Sequence, residues 1–153
     1  ELEQLPSTVI PFNKFRQQHP QADVLVPRDS YKRDYGANPY AGYDRSSEPF
    51  MYKGNYTGKL EPMAYVVAVD DTAWPLQELR EKGNIRHGDL HLKWQSGMAS
   101  ALDKRKIARG RDIGYVTVTR TADNGARRDV EFITTFAFAF KALKPQGEIL
   151  GVE

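Results

Sequence analysis

Three side chains able to hold a metal stand at alternate positions, His87, Asp89 and His91. Along one extended strand, alternate residues share a face, so two imidazoles and a carboxylate could surround a divalent ion. A competing pattern runs through the same stretch. Leu90, Leu92 and Trp94 alternate with His91, Lys93 and Gln95, a period of two that puts the leucine side in a core and the histidine side in water. Gly88 also loosens any strand here. The expectation is a half-buried strand with no metal, His87, Asp89 and His91 being the set that could hold one.

Lys104, Arg105, Lys106, Arg109 and Arg111 form the one concentrated basic stretch. Such a cluster can meet a polyanion: an acidic polysaccharide, a phosphate or a nucleic acid. Its ordinary reading is a solvated loop, with Arg109 or Arg111 paired to Asp103 or Asp112. Arg111-Asp112 lies between Gly110 and Gly114, and a charged pair there pins a tight loop more readily than it performs catalysis.

From Arg28 to Gly58 the chain is polar and rich in tyrosine, glycine and proline. A loop of that length inside a compact domain is either functional or strapped to the core. Arg33, Asp34, Tyr35, Asn38, Tyr40 and Tyr43 offer flat apolar rings with polar ends, the mixture that carbohydrate and peptide sites use. The alternative is that the tyrosine rings clamp the loop onto a sheet. Asp70-Asp71 is too tight a pair for shared-proton chemistry, since neighbours in a turn diverge. Asn55-Tyr56-Thr57 matches the glycosylation triplet, which matters only in a eukaryotic secretory pathway. The sequence has no nucleophile elbow, phosphate-cradling glycine loop, helical zinc-protease motif or calcium loop. With zero cysteines, disulfides and thiolate chemistry are excluded. No cofactor is expected.

These groups must be positioned by a chain of 153 residues, 40% hydrophobic and 27% charged, with a net charge of +2. That composition fits one globular domain over residues 1–153, with residues 28–58 as a long loop inside it. The charge is too small and too evenly mixed to mark a nucleic-acid partner. No apolar run reaches the roughly 18–20 residues of a membrane span. Glu1 is not an initiator methionine, which points to a missing upstream portion of the same protein as a partner.

The patterning predicts an α+β fold: an antiparallel-rich sheet and three short helices. The first helix holds Phe12 and Phe15 on one face, with Ser7 or Thr8 as its cap and His19-Pro20 as its stop. Asp23–Val26 reads as a short strand. Met63–Val69 and Thr72–Trp74 flank a turn at Asp70-Asp71, and a helix from Pro75 to Lys82 ends at Gly83. Tyr115–Arg120 and Val130–Ile133 flank Asp123-Asn124-Gly125, a primed hairpin turn. The last helix, Phe136–Leu143, takes Thr134 or Thr135 as cap and Lys144-Pro145 as stop.

The two ends of the chain match each other without a gap. Phe15-Arg16 corresponds to Phe140-Lys141, and Pro20-Gln21-Ala22-Asp23-Val24-Leu25 to Pro145-Gln146-Gly147-Glu148-Ile149-Leu150. The match spans a helix, its proline stop and the following strand, so one helix–strand unit is expected twice, capping a common interior.

The segment Arg33-Asp34-Tyr35-Gly36-Ala37-Asn38-Pro39-Tyr40-Ala41-Gly42-Tyr43 resembles the bacterial and archaeal family called domain of unknown function 3179. Leu5-Pro6-Ser7-Thr8, Ala73-Trp74-Pro75-Leu76, Ser100-Ala101-Leu102-Asp103 and Gly110-Arg111-Asp112-Ile113-Gly114 resemble it too. The resemblance implies a longer, exported bacterial protein, periplasmic or secreted, of which this chain is the C-terminal part. The family's Cys-Pro-Leu-Cys step is absent here, and the family supplies no activity to carry over. The leading expectation is a non-catalytic binding or structural module. The alternatives are an enzyme sharing its active site with an N-terminal half, through Arg33, Asp34, Asp103, Arg111 or the His87/His91 pair, and a polyanion-binding surface.

Overall fold

The computed structural model describes residues 7–29 and 33–151. They hold three helices and eight strands in an α+β arrangement with two four-stranded, mostly antiparallel sheets. The chain separates into two compact units: one from Arg45–Gln95 and the chain from Val116 on, the other from Val9–Asp44 and Ser96–Tyr115.

Both sheets belong to the first unit. β1 (Tyr65–Val69) and β2 (Thr72–Pro75) form a hairpin, with Val67 opposite Trp74 and Ala68 opposite Ala73. β7 (Ile133–Phe136) pairs antiparallel with β1, and β8 (Glu148–Ile149) pairs parallel with the other edge of β2. Alternation explains why β1 is apolar throughout. Val67 and Val69 enter one core with Trp74, Leu76, Leu79, Leu90, Leu92, Val116 and Val118, whereas Val66 and Ala68 enter a second with Ala73, Ala137 and Phe140. α2 (Leu76–Lys82) follows β2 directly and ends at Gly83, as the sequence requires. β3 (Asn84–His87), β4 (Leu90–Gln95), β5 (Tyr115–Thr121) and β6 (Arg127–Asp129) form the second sheet in that order.

Several local expectations are corrected. Pro11, not Ser7 or Thr8, is the N-cap of α1 (Phe12–Gln18), and Phe136 caps α3 (Ala137–Leu143) because Thr134 and Thr135 are needed in β7. Residues 23–26 form no strand. The turn after β5 is not primed: Gly125 (φ 80) is its only left-handed residue, and Ala122 N–H reaches the Ala126 carbonyl at 2.8 Å. That is a three-residue loop closed by a glycine bulge. The return strand is Arg127–Asp129, while Ile133 pairs in the other sheet.

The two helices end alike in backbone detail. α1 and α3 each have seven residues, and their C-caps His19 (φ −130, ψ 66) and Lys144 (φ −127, ψ 74) have nearly the same angles. His19 N–H donates to the Phe15 carbonyl and Lys144 N–H to that of Phe140, both at 2.8 Å. The shared interior is corrected, however. Phe140 is 2% exposed inside a core, whereas α1 buries none of its residues.

Candidate functional site

In the second unit two loop stretches lie against each other. Ala37 bridges Lys106, Asn38 N–H donates to the Arg105 carbonyl at 2.8 Å, and Ile107 N–H donates to that of Gly36 at 2.9 Å. Gly42 N–H continues the lacing to the carbonyls of Leu102 (2.8 Å) and Asp103 (3.0 Å). The loop is therefore strapped here by its backbone, while farther along it the rings of Tyr52 and Tyr56 do the strapping, on Phe138 and on a core. Tyr35 and Tyr40 are exposed and do not clamp it; Tyr43 is half-buried, and Tyr31 lies outside the described residues.

Asp44 and Asp103 sit inside this lacing with side chains 0% and 1% exposed, and Arg111 lies between them. Its Nη1 stands 2.9 Å from Asp44 Oδ1 and 3.7 Å from Asp103 Oδ1. The Ser100 hydroxyl donates to Asp44 Oδ2, and Arg111 N–H donates to Asp103 Oδ2 at 2.6 Å. A buried carboxylate is tolerated only when a counter-charge and hydrogen bonds replace its water, and this cluster supplies both. Gly110 makes the approach possible: a Cβ there would run into the Ser100 carbonyl oxygen, a backbone atom unable to turn aside. Asp112 points elsewhere and accepts from the backbone N–H groups of Gly97 (2.9 Å), Met98 (3.1 Å) and Gly114 (2.8 Å), closing the loop. Of the pairings expected for Arg109 or Arg111 with Asp103 or Asp112, the structure forms Arg111 with Asp103, and Asp112 pins the loop through backbone N–H groups instead. Asp44, the nearer partner, had no signal in the sequence.

The same unit holds a pocket of about 480 Å³, lined by Asp34, Ala37, Asn38, Pro39, Ala41 and Arg105. It joins Asp34 and Asn38 of the tyrosine-rich segment to Arg105 of the basic one. Asn38 is 7% exposed, and its Oδ1 accepts from Tyr40 N–H at 2.8 Å. Its Nδ2 is buried and has no hydrogen-bond partner among the described residues. Arg33, Tyr35, Tyr40 and Tyr43 do not line this pocket. Lys104, Lys106 and Arg109 are exposed, whereas the pairing of Arg111 takes it out of the basic surface.

A second groove of about 430 Å³ lies in the first unit along residues 48–62. Tyr52 packs on Phe138 at 5.0 Å, and Tyr56 leans on the core around Phe140. Burial, helped by Glu61, raises the Tyr56 phenol above its usual pKa.

The metal arrangement is not formed. Gly88 (φ 59) and Asp89 make a two-residue turn, so His87 ends β3 and His91 belongs to β4. In that register His87 pairs with Leu90 and Arg86 with His91, which sends the two imidazoles to opposite faces. The sequence reading assumed one strand, and the tight turn overrides it. His87 packs edge-on against Trp74 at 5.4 Å, and Asp89 pairs with Arg120 at 3.1 Å. No group of three metal-capable side chains comes together among the described residues. Asp70 and Asp71 diverge to separate partners, Arg120 (3.7 Å) and Lys144 (2.8 Å).

The stretches singled out by resemblance, 33–43, 100–103 and 110–114, supply most of the brace and pocket, while Asp44 and Arg105 fall just outside them. Residues 1–147 match the family described as protein of unknown function DUF3179. The chain belongs to this family. No curated protein and no solved structure matches it. Within this DUF3179 member, no helix among the described residues is long and apolar enough to cross a membrane.

Proposed function

We propose that this DUF3179 chain is a non-catalytic binding module of an exported bacterial protein, and that the pocket of Asp34, Asn38 and Arg105 takes a neutral carbohydrate. The observation that carries the reading is that Asp34, Asn38 and Arg105, a carboxylate, an amide and a guanidinium, line one pocket. The pocket has an acceptor at Asp34 and donors at Arg105, which suits hydroxyls that both give and take hydrogen bonds. An anionic ligand would be attracted by Arg105 and repelled by Asp34. The exposed rings of Tyr35 and Tyr40, adjacent in sequence, offer the flat faces sugars pack against. A catalytic reading would draw on Arg33, Asp34, Asp103, Arg111 or the His87/His91 pair; of these, Asp103 and Arg111 are held in the brace and the two imidazoles face opposite ways.

A glycan array on the purified chain tests the proposal, followed by calorimetry on the strongest neutral ligand with Asp34→Ala and Arg105→Ala. Losing one such hydrogen bond, worth about 1.5–3 kcal/mol when one partner is charged, weakens binding roughly 10- to 100-fold. Binding that survives both substitutions refutes the pocket. Binding confined to acidic glycans, steeply salt-dependent and lost in Lys104→Ala/Lys106→Ala, replaces it with a polyanion surface. Export is checked separately, by locating the natural protein in periplasmic and secreted fractions.

A further inference from the structure

The groove along residues 48–62 is built by a short repeat in the sequence. Tyr52-Lys53-Gly54 and Tyr56-Thr57-Gly58 each place a glycine two residues after a tyrosine. In both, the ring folds back over that glycine: a Cβ on Gly54 would run into the Tyr52 ring, and one on Gly58 into the Tyr56 ring. Only glycine leaves that room. Tyr52 also rests on Phe138, 5.0 Å between ring centroids, and Tyr56 packs against the core that holds Phe140. Both rings are therefore anchored, and both line the groove.

Charge decides what such rings attract. Glu48 and Glu61 line the same groove, and Lys59 is the single cation among the described residues of its lining, so carboxylates exceed ammonium groups there by one. The Tyr56 phenol has its pKa raised by burial and then by the Glu61 charge, which therefore reaches the ring. An aromatic face beside a carboxylate is the pairing that holds an organic cation: the ring quadrupole attracts the charge, and the carboxylate accepts its N–H bonds. An anion is repelled, and a neutral ligand gains nothing from the excess charge. Between the lining residues Pro49 and Tyr52 the chain exposes Phe50 and Met51, at 72% and 80%. Met51 has a φ of 60, strained for a residue with a side chain, so its surroundings hold this rim in place. That apolar rim suits a hydrocarbon stem carrying the charge.

We propose that this groove binds an alkylammonium group, the end of a lysine side chain in a peptide or of a free polyamine. Tyr52 and Tyr56 meet its methylenes and its charge, and Glu48 and Glu61 accept its N–H bonds. The site is separate from the carbohydrate pocket, which belongs to the other unit, so either can fail without the other.

NMR titration of the purified chain tests this with the peptide acetyl-Gly-Lys-Gly-amide, its norleucine counterpart and cadaverine. Both amines shift the amides of Gly54 and Gly58, and the norleucine peptide does not. Tighter binding of the lysine peptide assigns the groove to a peptide partner, and cadaverine binding at least as tightly assigns it to free polyamines; the ammonium site stands in both. Glu48 and Glu61 are exposed, so Glu48→Gln/Glu61→Gln keeps the fold, and it weakens the better probe at least about fivefold. Lys59→Gln strengthens binding by removing a repelling charge. Tyr56→Leu weakens it about 2- to 5-fold, whereas Tyr56→Phe, which keeps the ring, does not. Absence of a shift at either glycine up to about 10 mM of both amines overturns the proposal, as do equal shifts from the norleucine peptide. So does binding that Glu48→Gln/Glu61→Gln leaves intact.

Discussion

Replacing Arg111 with methionine removes the charge while keeping much of the side chain's length. At 2.9 and 3.7 Å from two buried carboxylates, the guanidinium's raw attractions at an effective dielectric of 20 are about 6 and 4 kcal/mol. Most of that offsets the cost of taking the charges out of water, and breaking a buried pair from one side costs about 3–5 kcal/mol. Arg111 is 37% exposed, so water screens one side of it and the lower end applies, about 3 kcal/mol. With a urea slope near 2 kcal/mol/M, the midpoint falls by about 1.5 M. Thermal unfolding falls by about 6–12 °C. Arg111→Lys restores the charge but not the fork and recovers about half. Adding Asp44→Asn to Arg111→Met neutralises one stranded carboxylate and returns more than about 1 kcal/mol. Urea denaturation of the four proteins, with amide exchange at Gly42, Ser100 and Arg111 as a local readout, decides it. A loss under about 1 kcal/mol for Arg111→Met would mean that the cluster behaves like an exposed ion pair and does not brace the loops.

Gly110→Ala drives a Cβ into the Ser100 carbonyl and should lower stability by at least about 2 kcal/mol, seen as a urea midpoint shift; an unshifted midpoint would show that the strap can open there. Phe140→Ala removes a core side chain that is 2% exposed and should cost about 3–5 kcal/mol, against under about 1 kcal/mol for Phe15→Ala in the same chain. Equal losses by thermal denaturation would refute the difference in environment. The His91 imidazole titrates below the usual 6.5, first because it is partly desolvated and then because Arg86 and Arg127 repel its charged form. Its contribution to stability is therefore full above pH 6.5 and is lost as pH falls through the lowered value. NMR titration should place the His91 midpoint under 6.5, and Arg86→Gln should raise it only part of the way.

The hairpin β1–β2, helix α2 and strands β4 and β5 were readable in the sequence because their signals are local: alternation, a proline entry, a glycine stop. The brace was only half readable. Arg111 and Asp103 stand eight residues apart and their pairing could be anticipated, but Asp44 bonds across 67 residues, and nothing near it in sequence announces its burial. The histidine set misled because alternation assigns a face only within one strand, and Gly88-Asp89 divides it between two. Val24–Val26 shows the converse: β-branched residues supply the propensity for a strand, while a strand exists only where another offers hydrogen bonds. Thr134 and Thr135 are good helix caps that pairing with β1 claimed first.

The discontinuity of the two units governs when this protein can fold. β1 begins at Tyr65 and meets its outer neighbour only at Ile133, and the loop around Gly42 waits for Leu102. A ribosome that has delivered everything through Gln95 has finished neither unit, since each still lacks its second stretch. Folding is therefore a late event dominated by the closure of long loops, a topology that folds slowly. Until then Val66, Val67, Trp74 and Leu79 belong to a half-made first unit whose core is completed only by the stretch from Val116 on, which makes the partly synthesised chain the aggregation-exposed state.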